Sequence, residues 1–156
     1  MLTDVAPLFI DAIKKAVAVQ SQIDFTLGNE IPSDAKIKFN GDTGGFLKLT
    51  EPRGICFLAI AFPKKTFLAI LTSMLGEEFT ELDPELDETT LGFLEVAFGN
   101  ATPLLKAKGF VFEKNNIGTS RSFSFNKPKA ASISSKIVEF TSDKGSFSFG
   151  VFISAP

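Results

Sequence analysis

The sequence predicts an α/β domain of the α+β type, in which a mostly antiparallel sheet packs against three helices, two of them long. Helical periodicity in three segments and period-two alternation in most of the rest predict these elements. No Pro/Gly/Ser-rich linker or charge run divides the 156 residues, and a chain of this length can bury enough surface to form one core. Residues 1–156 are therefore predicted to form a single domain.

The first two helices are marked by proline and by the spacing of apolar residues. Thr3 can cap a helix over residues 4–19, with Pro7 in its opening turn. Pro63 opens the second helix, and Gly76 suits the left-handed position that ends it. The apolar positions of the first helix are Val5, Phe9, Ala12, Ile13, Ala16 and Val17.

The third helix has the clearest start in the sequence. Asp83 can cap it, Pro84 occupies its first helical position, and the acidic residues that follow suit the positive end of the helix dipole. The helix is expected to continue to about Lys108 and to stop at Gly109. Because Pro103 lacks an amide hydrogen, we expect a kink or an early end at that residue.

Alternating and continuous apolar runs predict the strands. They fall near residues 23–28, 35–41, 45–50 and 54–62, with turn clusters at 32–34 and 41–45. The run at 54–62 is almost entirely apolar, which is typical of a central strand covered on both faces or by a partner. After Gly109 the alternation returns at residues 110–112, 123–125, 137–140 and 146–153, and indicates further antiparallel strands.

The composition excludes several kinds of chemistry. All 18 aromatic residues are Phe, and the chain has no His, so Ser-His and Cys-His catalysis are impossible within it. A zinc site is not expected, because Cys56 is the only cysteine. Cys56 lies in an apolar run, where it is expected to be buried and inert. The Phe side chains are expected to fill the layer between helices and sheet.

The charge pattern limits the partners. The net charge is −2 and no basic stripe is present, which argues against nucleic acid. The N-terminal segment lacks the basic and apolar regions of a secretory signal, and no apolar run approaches the roughly 18 residues that span a membrane. A single cysteine fits a reducing compartment. The protein is therefore expected to be cytoplasmic, with no membrane partner.

Two segments resemble the CheX/CheC family of chemotaxis phosphatases. Residues 54–76 are similar to its strand-then-helix unit, including the terminal Met-Leu-Gly. Residues 82–110, from Leu-Asp-Pro-Glu-Leu through Phe-Gly-Asn-Ala to Lys-Gly-Phe, resemble without gaps the family's long active-site helix. The resemblance covers most of residues 45–115. It implies a cytoplasmic signalling protein that forms a homodimer and binds a CheY-like response regulator.

In this family a Glu-x-x-Asn pair on the long helix enters the active site of the phosphorylated regulator. The regulator supplies the aspartyl phosphate and the magnesium ion, so the resemblance implies no cofactor of the protein's own. A spacing of three places both side chains on one helical face, and an amide can hold water without adding negative charge. Counting back from Gly99 and Asn100, the acid position holds Gly92 and the amide position holds Glu95. Both catalytic side chains are replaced.

The chain contains one literal Glu-x-x-Asn, at Glu113 to Asn116. This segment follows Gly109 and is predicted to be strand and turn, in which alternation would point the two residues to opposite faces. We therefore interpret it as a coincidence.

A helical wheel divides the third helix into two stripes. The partner-binding face implied by the resemblance comprises Glu88, Gly92, Glu95 and Gly99. Gly92 either permits close approach of another backbone or is simply tolerated on a surface. Glu95 either orients water or a partner's magnesium, or is an ordinary solvated glutamate. The stripe expected to face the core is Leu91, Leu94, Phe98, Ala101 and Leu105.

Three functions remain open at this level. The first is a regulator-binding protein whose phosphatase activity is degenerate or absent; its partner is a response regulator, a receptor-associated protein or a flagellar-switch component. The second is an active aspartyl-phosphate phosphatase with a modified site at Glu95. The third is a structural dimerisation module whose exposed strands pair across a two-fold axis.

Overall fold

A computed structural model describes residues 1–31, 39–83, 87–125 and 133–154. Three helices pack on one face of a sheet in which the six described strands lie in the order β1-β5-β6-β3-β2-β4 and all neighbours are antiparallel. This α+β arrangement is the predicted one. The elements are α1 Leu2–Ser21, β1 Thr26–Ile31, β2 Phe39–Glu51, β3 Gly54–Phe62, α2 Lys64–Leu75, α3 Asp87–Ala107, β4 Glu113–Phe125, β5 Ile133–Ser142 and β6 Gly145–Ser154.

Helix α1 begins two residues earlier than predicted. Its N-cap is Met1, whose carbonyl accepts hydrogen bonds from the amides of Asp4 and Val5 at 3.1 Å, so the predicted cap at Thr3 is wrong. The earlier start places Pro7 in the second turn of the helix. All six predicted apolar positions are buried, which confirms the face that α1 turns to the core.

Helix α2 follows Pro63 and ends as predicted. Gly76 has φ of 74°, and its amide donates to the Thr72 carbonyl at 3.0 Å. The Asp42 carboxylate, from β2, accepts a hydrogen bond from the amide of Lys64 at 2.7 Å and so caps the first turn from another element.

Helix α3 passes through Pro103 and ends at Ala107, so the predicted early end is wrong. Gly109 has φ of 86° and follows the helix end as predicted. Pro84, which was predicted to occupy the first position of this helix, lies outside the described residues.

The predicted turn at residues 41–45 is wrong, because this segment lies within β2. It pairs with β3 on one side and β4 on the other. Gly41 and Gly45 allow the neighbouring backbones to approach closely. A Cβ on Gly41 would lie 2.9 Å from the amide nitrogen of Phe62, and one on Gly45 would lie 2.9 Å from the Gly118 carbonyl oxygen. The predicted turn at 32–34 lies outside the described residues, and the first strand begins at Thr26 rather than near residue 23.

Strand β3 lies inside the sheet, and both of its faces are covered, as predicted. Leu58, Ile60 and Phe62 face the helices, and Ala59 and Ala61 face the opposite side; all five are buried. Most of the buried Phe rings belong to the helix side, where the predicted layer is confirmed. They are Phe9, Phe25, Phe62, Phe67, Phe93, Phe110, Phe112, Phe140, Phe147 and Phe149.

Cys56 is fully buried in the same layer, as predicted. Its position on β3 places it opposite Leu49 of β2 and Ile153 of β6, both of which are buried. Burial raises the pKa of the Cys56 thiol far above its ordinary value, because the thiolate would be desolvated.

Candidate functional site

Helix α3 presents one stripe to the core and the opposite one to solvent. Glu88, Gly92, Glu95 and Gly99, called here the α3 face, lie on the solvent side; Gly92 is half-buried and the other three are exposed. Leu94, Ala101 and Leu105 of the predicted core stripe are buried, whereas Leu91 and Phe98 are only half-buried. Sequence reasoning missed the buried Thr90, Phe93 and Ala97.

Both glycines of the α3 face stand over open space. A Cβ built on Gly92 or on Gly99 meets no heavy atom within 4 Å, once the helix's own neighbouring backbone is set aside. Close approach between these glycines and another described part of the same chain is therefore not their role. The replacement at the acid position leaves a shallow surface at the turn that precedes Glu95.

Glu95 is held by a lysine from the neighbouring strand. Its Oε1 lies 3.2 Å from the Nζ of Lys114, and the two side chains are 49% and 46% exposed. The pair thus places a carboxylate and an ammonium at the position where the family resemblance implies a neutral amide. Glu95 is exposed, so its interpretation as a solvated surface glutamate and its proposed role at a partner surface both stay open.

A β-bulge at the start of β4 brings Lys114 to the helix side of the sheet. Lys114 lies opposite the buried Leu49, whereas the next paired residue of β4, Asn116, lies opposite Lys48. Asn115 is the extra residue, and its side-chain amide donates to Thr50 Oγ1 at 2.8 Å.

The bulge also changes the geometry of the literal Glu-x-x-Asn. Glu113 lies opposite Thr50 and Asn116 opposite Lys48, two positions apart on the same face of β2. The regular strand pairing on which the prediction of opposite faces rests is interrupted here, because Asn115 is unpaired. No feature of the sequence marks this bulge.

An arginine fixes the C-terminal end of α3 to the β2–β3 turn. Arg53 Nε lies 3.0 Å from Oε1 of Glu51, whose side chain is only 2% exposed. Arg53 Nη2 donates to the Gly109 carbonyl at 2.6 Å, and the guanidinium lies 4.1 Å from the centroid of the Phe110 ring. These contacts join the end of the helix to the hairpin that precedes α2, and so position the α3 face on the sheet.

Apolar side chains extend the exposed surface of α3. Val96 is 40% exposed and lies four residues after Gly92, on the same side of the helix. Leu104 is 52% exposed in the last turns. Val96 and Leu104 belong to neither of the stripes that the sequence predicts for the helix. Together with the glycines they make it partly apolar as well as acidic.

The described residues offer few other reactive arrangements. Within residues 1–31, 39–83, 87–125 and 133–154, no three His, Cys, Asp or Glu residues come together as a metal site. In the same part of the chain, no helix combines the length and apolar character needed to cross a bilayer.

The fold is similar to solved structures of chemotaxis proteins, although no family model and no curated protein matches the sequence. A CheC-like superfamily protein from Shewanella sp. PV-4 superposes with a TM-score of 0.86 at 20% identity, covering 99% of this chain and 100% of the other. CheX from Vibrio vulnificus gives 0.82 at 18% identity, covering 94% and 97%.

A third similar structure contains a partner. CheX from Borrelia burgdorferi, solved in a complex with CheY, BeF₃ and Mg²⁺, gives a TM-score of 0.69 at 20% identity over 96% of this chain and 97% of the other. Identities at this level establish the fold, not the site. The chain is a CheX/CheC-like domain by its fold.

Proposed function

We propose that this protein is a cytoplasmic signalling protein of chemotaxis or a related two-component system. Its α3 face binds a CheY-like response regulator, and its own phosphatase activity is degenerate or absent. The observation that carries the proposal is what occupies positions 92 and 95 of α3, where the resemblance implies the acid and the amide. Gly92 offers no side chain, and Glu95 is engaged by Lys114 at 3.2 Å.

The surface of α3 is suited to docking against another protein. It is exposed and shallow, it contains the apolar Val96, and open space surrounds Gly92 and Gly99. A partner backbone can therefore approach the helix closely at two successive points. The likeness of the fold to a CheX solved with CheY supports a regulator as the partner.

The chemistry at the two positions is unfavourable for phosphatase action. A water molecule that attacks phosphorus must be held in line, and an amide does this without adding negative charge. The Glu95 carboxylate would instead face an anionic phosphoryl group, and its one described partner, Lys114, holds it to the β4 side. The magnesium ion would be supplied by the regulator.

The test measures binding and turnover separately. The protein is titrated with a CheY-like regulator from the same genome, activated by BeF₃⁻ and Mg²⁺, in a calorimeter. We expect saturable binding that Gly92→Leu weakens at least about tenfold, because the added side chain fills the open docking surface. Lys15→Leu, at an exposed position on α1, is the matched control and should bind normally.

The decay of the phosphorylated regulator is then followed with and without an excess of the protein. We expect less than about a twofold acceleration, since the water-positioning group is missing. A large acceleration would support the active-phosphatase alternative. Absence of binding to every regulator of the genome would refute the proposal.

We further propose that the protein forms a homodimer through a free sheet edge. Among the six described strands, β1 and β4 lie at the edges, and β4, which is thirteen residues long, pairs only with β2. A long edge strand can pair with a second copy across a two-fold axis. Sedimentation equilibrium at micromolar concentration tests this, and a monomer would refute it.

A further inference from the structure

Lys114 introduces a positive charge at the position where the resemblance implies a neutral amide. The Glu-x-x-Asn pair of the family carries a net charge of −1, as Gly92 and Glu95 do together, and Lys114 brings the local charge here to zero. The ammonium offers three hydrogen-bond donors. Within the described ranges its one hydrogen-bonded partner is Oε1 of Glu95.

No other carboxylate on the adjoining turn competes for this ammonium. An acid at position 92 would lie three residues before Glu95, on the same side of the helix, and would be a second partner for the lysine. The position holds Gly92, which stands over open space. The replacement of the family's acid by glycine therefore leaves the cation available to a group that arrives from outside.

The strand holds the base of Lys114 in place while its tip remains accessible. Its backbone is paired with Leu49, and the bulged Asn115 beside it is fixed to Thr50 Oγ1 at 2.8 Å. The Lys114 side chain is 46% exposed. The ammonium can therefore exchange one anionic oxygen for another without a large desolvation cost.

We infer that Lys114 makes the α3 face selective for the phosphorylated form of its regulator, by donating to the phosphoryl group when the regulator docks. This inference rests on the proposed function. A dianionic phosphoryl group is a stronger acceptor than one carboxylate oxygen, so Lys114 gains a contact only with the phosphorylated form. The domain would then recognise the phosphorylated state instead of removing it.

The experiment compares two affinities for each variant. The regulator is titrated with the protein in the presence of Mg²⁺ alone, and again with Mg²⁺ and BeF₃⁻, which stands in for the phosphoryl group. For the wild type we expect binding about ten- to a hundredfold tighter with BeF₃⁻, the range of one charge-assisted hydrogen bond. Lys114→Gln should lose most of this ratio.

Two further variants complete the test. Lys15→Gln removes an exposed lysine that is also ion-paired, 3.0 Å from Asp11 on α1, and should keep the wild-type ratio. Glu95→Gln removes the competing carboxylate and should raise the ratio. Thermal unfolding confirms that each variant is folded.

The outcomes separate this inference from the proposal beneath it. If neither form of the regulator binds, the proposed function fails and the selectivity fails with it. If both forms bind but the wild type does not distinguish them, or if Lys114→Gln keeps the full ratio, the role of Lys114 is refuted while regulator binding stands.

Discussion

The Oε1 of Glu95 lies 3.2 Å from the Nζ of Lys114, so the amide position of the α3 face is occupied by an ion pair between a helix and a strand. The pair exists because Asn115 is bulged out of β4 and Lys114 is thereby aligned with the buried Leu49. Its contribution to stability is small, because both side chains are half-exposed. Its consequence for the proposed docking is chemical, since it adds a cation beside the carboxylate that the helix presents.

Placing the Glu-x-x-Asn pair at positions 92 and 95 should give the protein phosphatase activity if the α3 face docks as proposed. In the double variant Gly92→Glu with Glu95→Asn, the carboxylate side chain added at position 92 enters open space, and the amide returns to the position now held by Glu95. We expect the phosphorylated regulator to decay about a hundredfold faster than with the wild type, which is the usual effect of one positioned group. Decay is measured by phosphate release under single-turnover conditions.

The matched control is Gly92→Gln with Glu95→Asn, which adds the same volume without the carboxylate and should accelerate decay much less. A restored variant that still binds the regulator but does not accelerate decay would contradict the docking geometry.

Alanine at either glycine of the α3 face should stabilise the protein. A Cβ on Gly92 or Gly99 meets no heavy atom within 4 Å, and both residues lie inside a helix. We expect Gly92→Ala and Gly99→Ala each to raise the free energy of unfolding by about 0.5–1 kcal/mol, because alanine loses less backbone entropy. Urea unfolding measures this. Gly45→Ala is the contrasting variant: its Cβ would lie 2.9 Å from the Gly118 carbonyl oxygen, and it should destabilise.

The helices were predictable because their signals are local. Pro63, Gly76 and Gly109 mark helix ends through their own backbone preferences, and the apolar spacing of α1 identified only residues that are buried. The cap at Thr3 failed because the Met1 carbonyl can take the first amides, which shifts the start of the helix without changing its face.

The sheet was less predictable because glycine occurs both in turns and in strands whose backbones approach closely, and a sequence does not distinguish the two. The segment 41–45 has the composition of a turn, yet it forms the middle of β2, where neighbouring backbones approach too closely for a side chain. The positions of the α3 face followed from helix geometry, whereas the Glu95–Lys114 pair depends on a bulge between distant segments. Long-range register of this kind is not encoded in any local pattern.

Asp42 illustrates the same limit and gives a direct test. The sequence predicts a turn at Asp42, but its carboxylate accepts a hydrogen bond from the Lys64 amide at 2.7 Å and caps α2 from strand β2. We expect Asp42→Ala to lower the free energy of unfolding by about 1 kcal/mol, the usual cost of a lost cap. Asp42→Asn should retain most of the stabilisation that the cap provides. Equal destabilisation by both variants, measured by urea unfolding, would show that the cap is not the reason.

The contacts of Arg53 should matter more than those of an ordinary surface ion pair. Arg53→Ala leaves the almost fully buried Glu51 carboxylate without its guanidinium, and also removes the contacts to the Gly109 carbonyl and the Phe110 ring. We expect a loss of about 1–3 kcal/mol in the free energy of unfolding. Lys64→Ala, which breaks an exposed pair with Glu81, should cost less than about 0.5 kcal/mol. Similar costs for the two variants in denaturant titrations would argue against an anchoring role for Arg53.

Cys56 should make stability fall with pH in the alkaline range. Burial raises the pKa of its thiol in the folded state, whereas in the unfolded chain it ionises near pH 8.5. Above that pH the unfolded state therefore binds fewer protons than the folded state, and the free energy of unfolding decreases by about 1.4 kcal/mol per pH unit. Well below that pH the thiol is protonated in both states and contributes no slope.

The measurement is urea unfolding at pH values of about 7.5, 9 and 10, on either side of the ordinary thiol pKa, for the wild type and for Cys56→Ala. The variant should be less stable at the lowest pH because it leaves a cavity, but its stability should fall less steeply above about pH 8.5, since the other groups that titrate there are common to both proteins. Parallel slopes would mean that the thiol ionises as easily in the folded state. In the native wild type, a thiol reagent at mildly alkaline pH should react only as fast as the protein opens, because the buried sulfur reaches the reagent only in opened molecules.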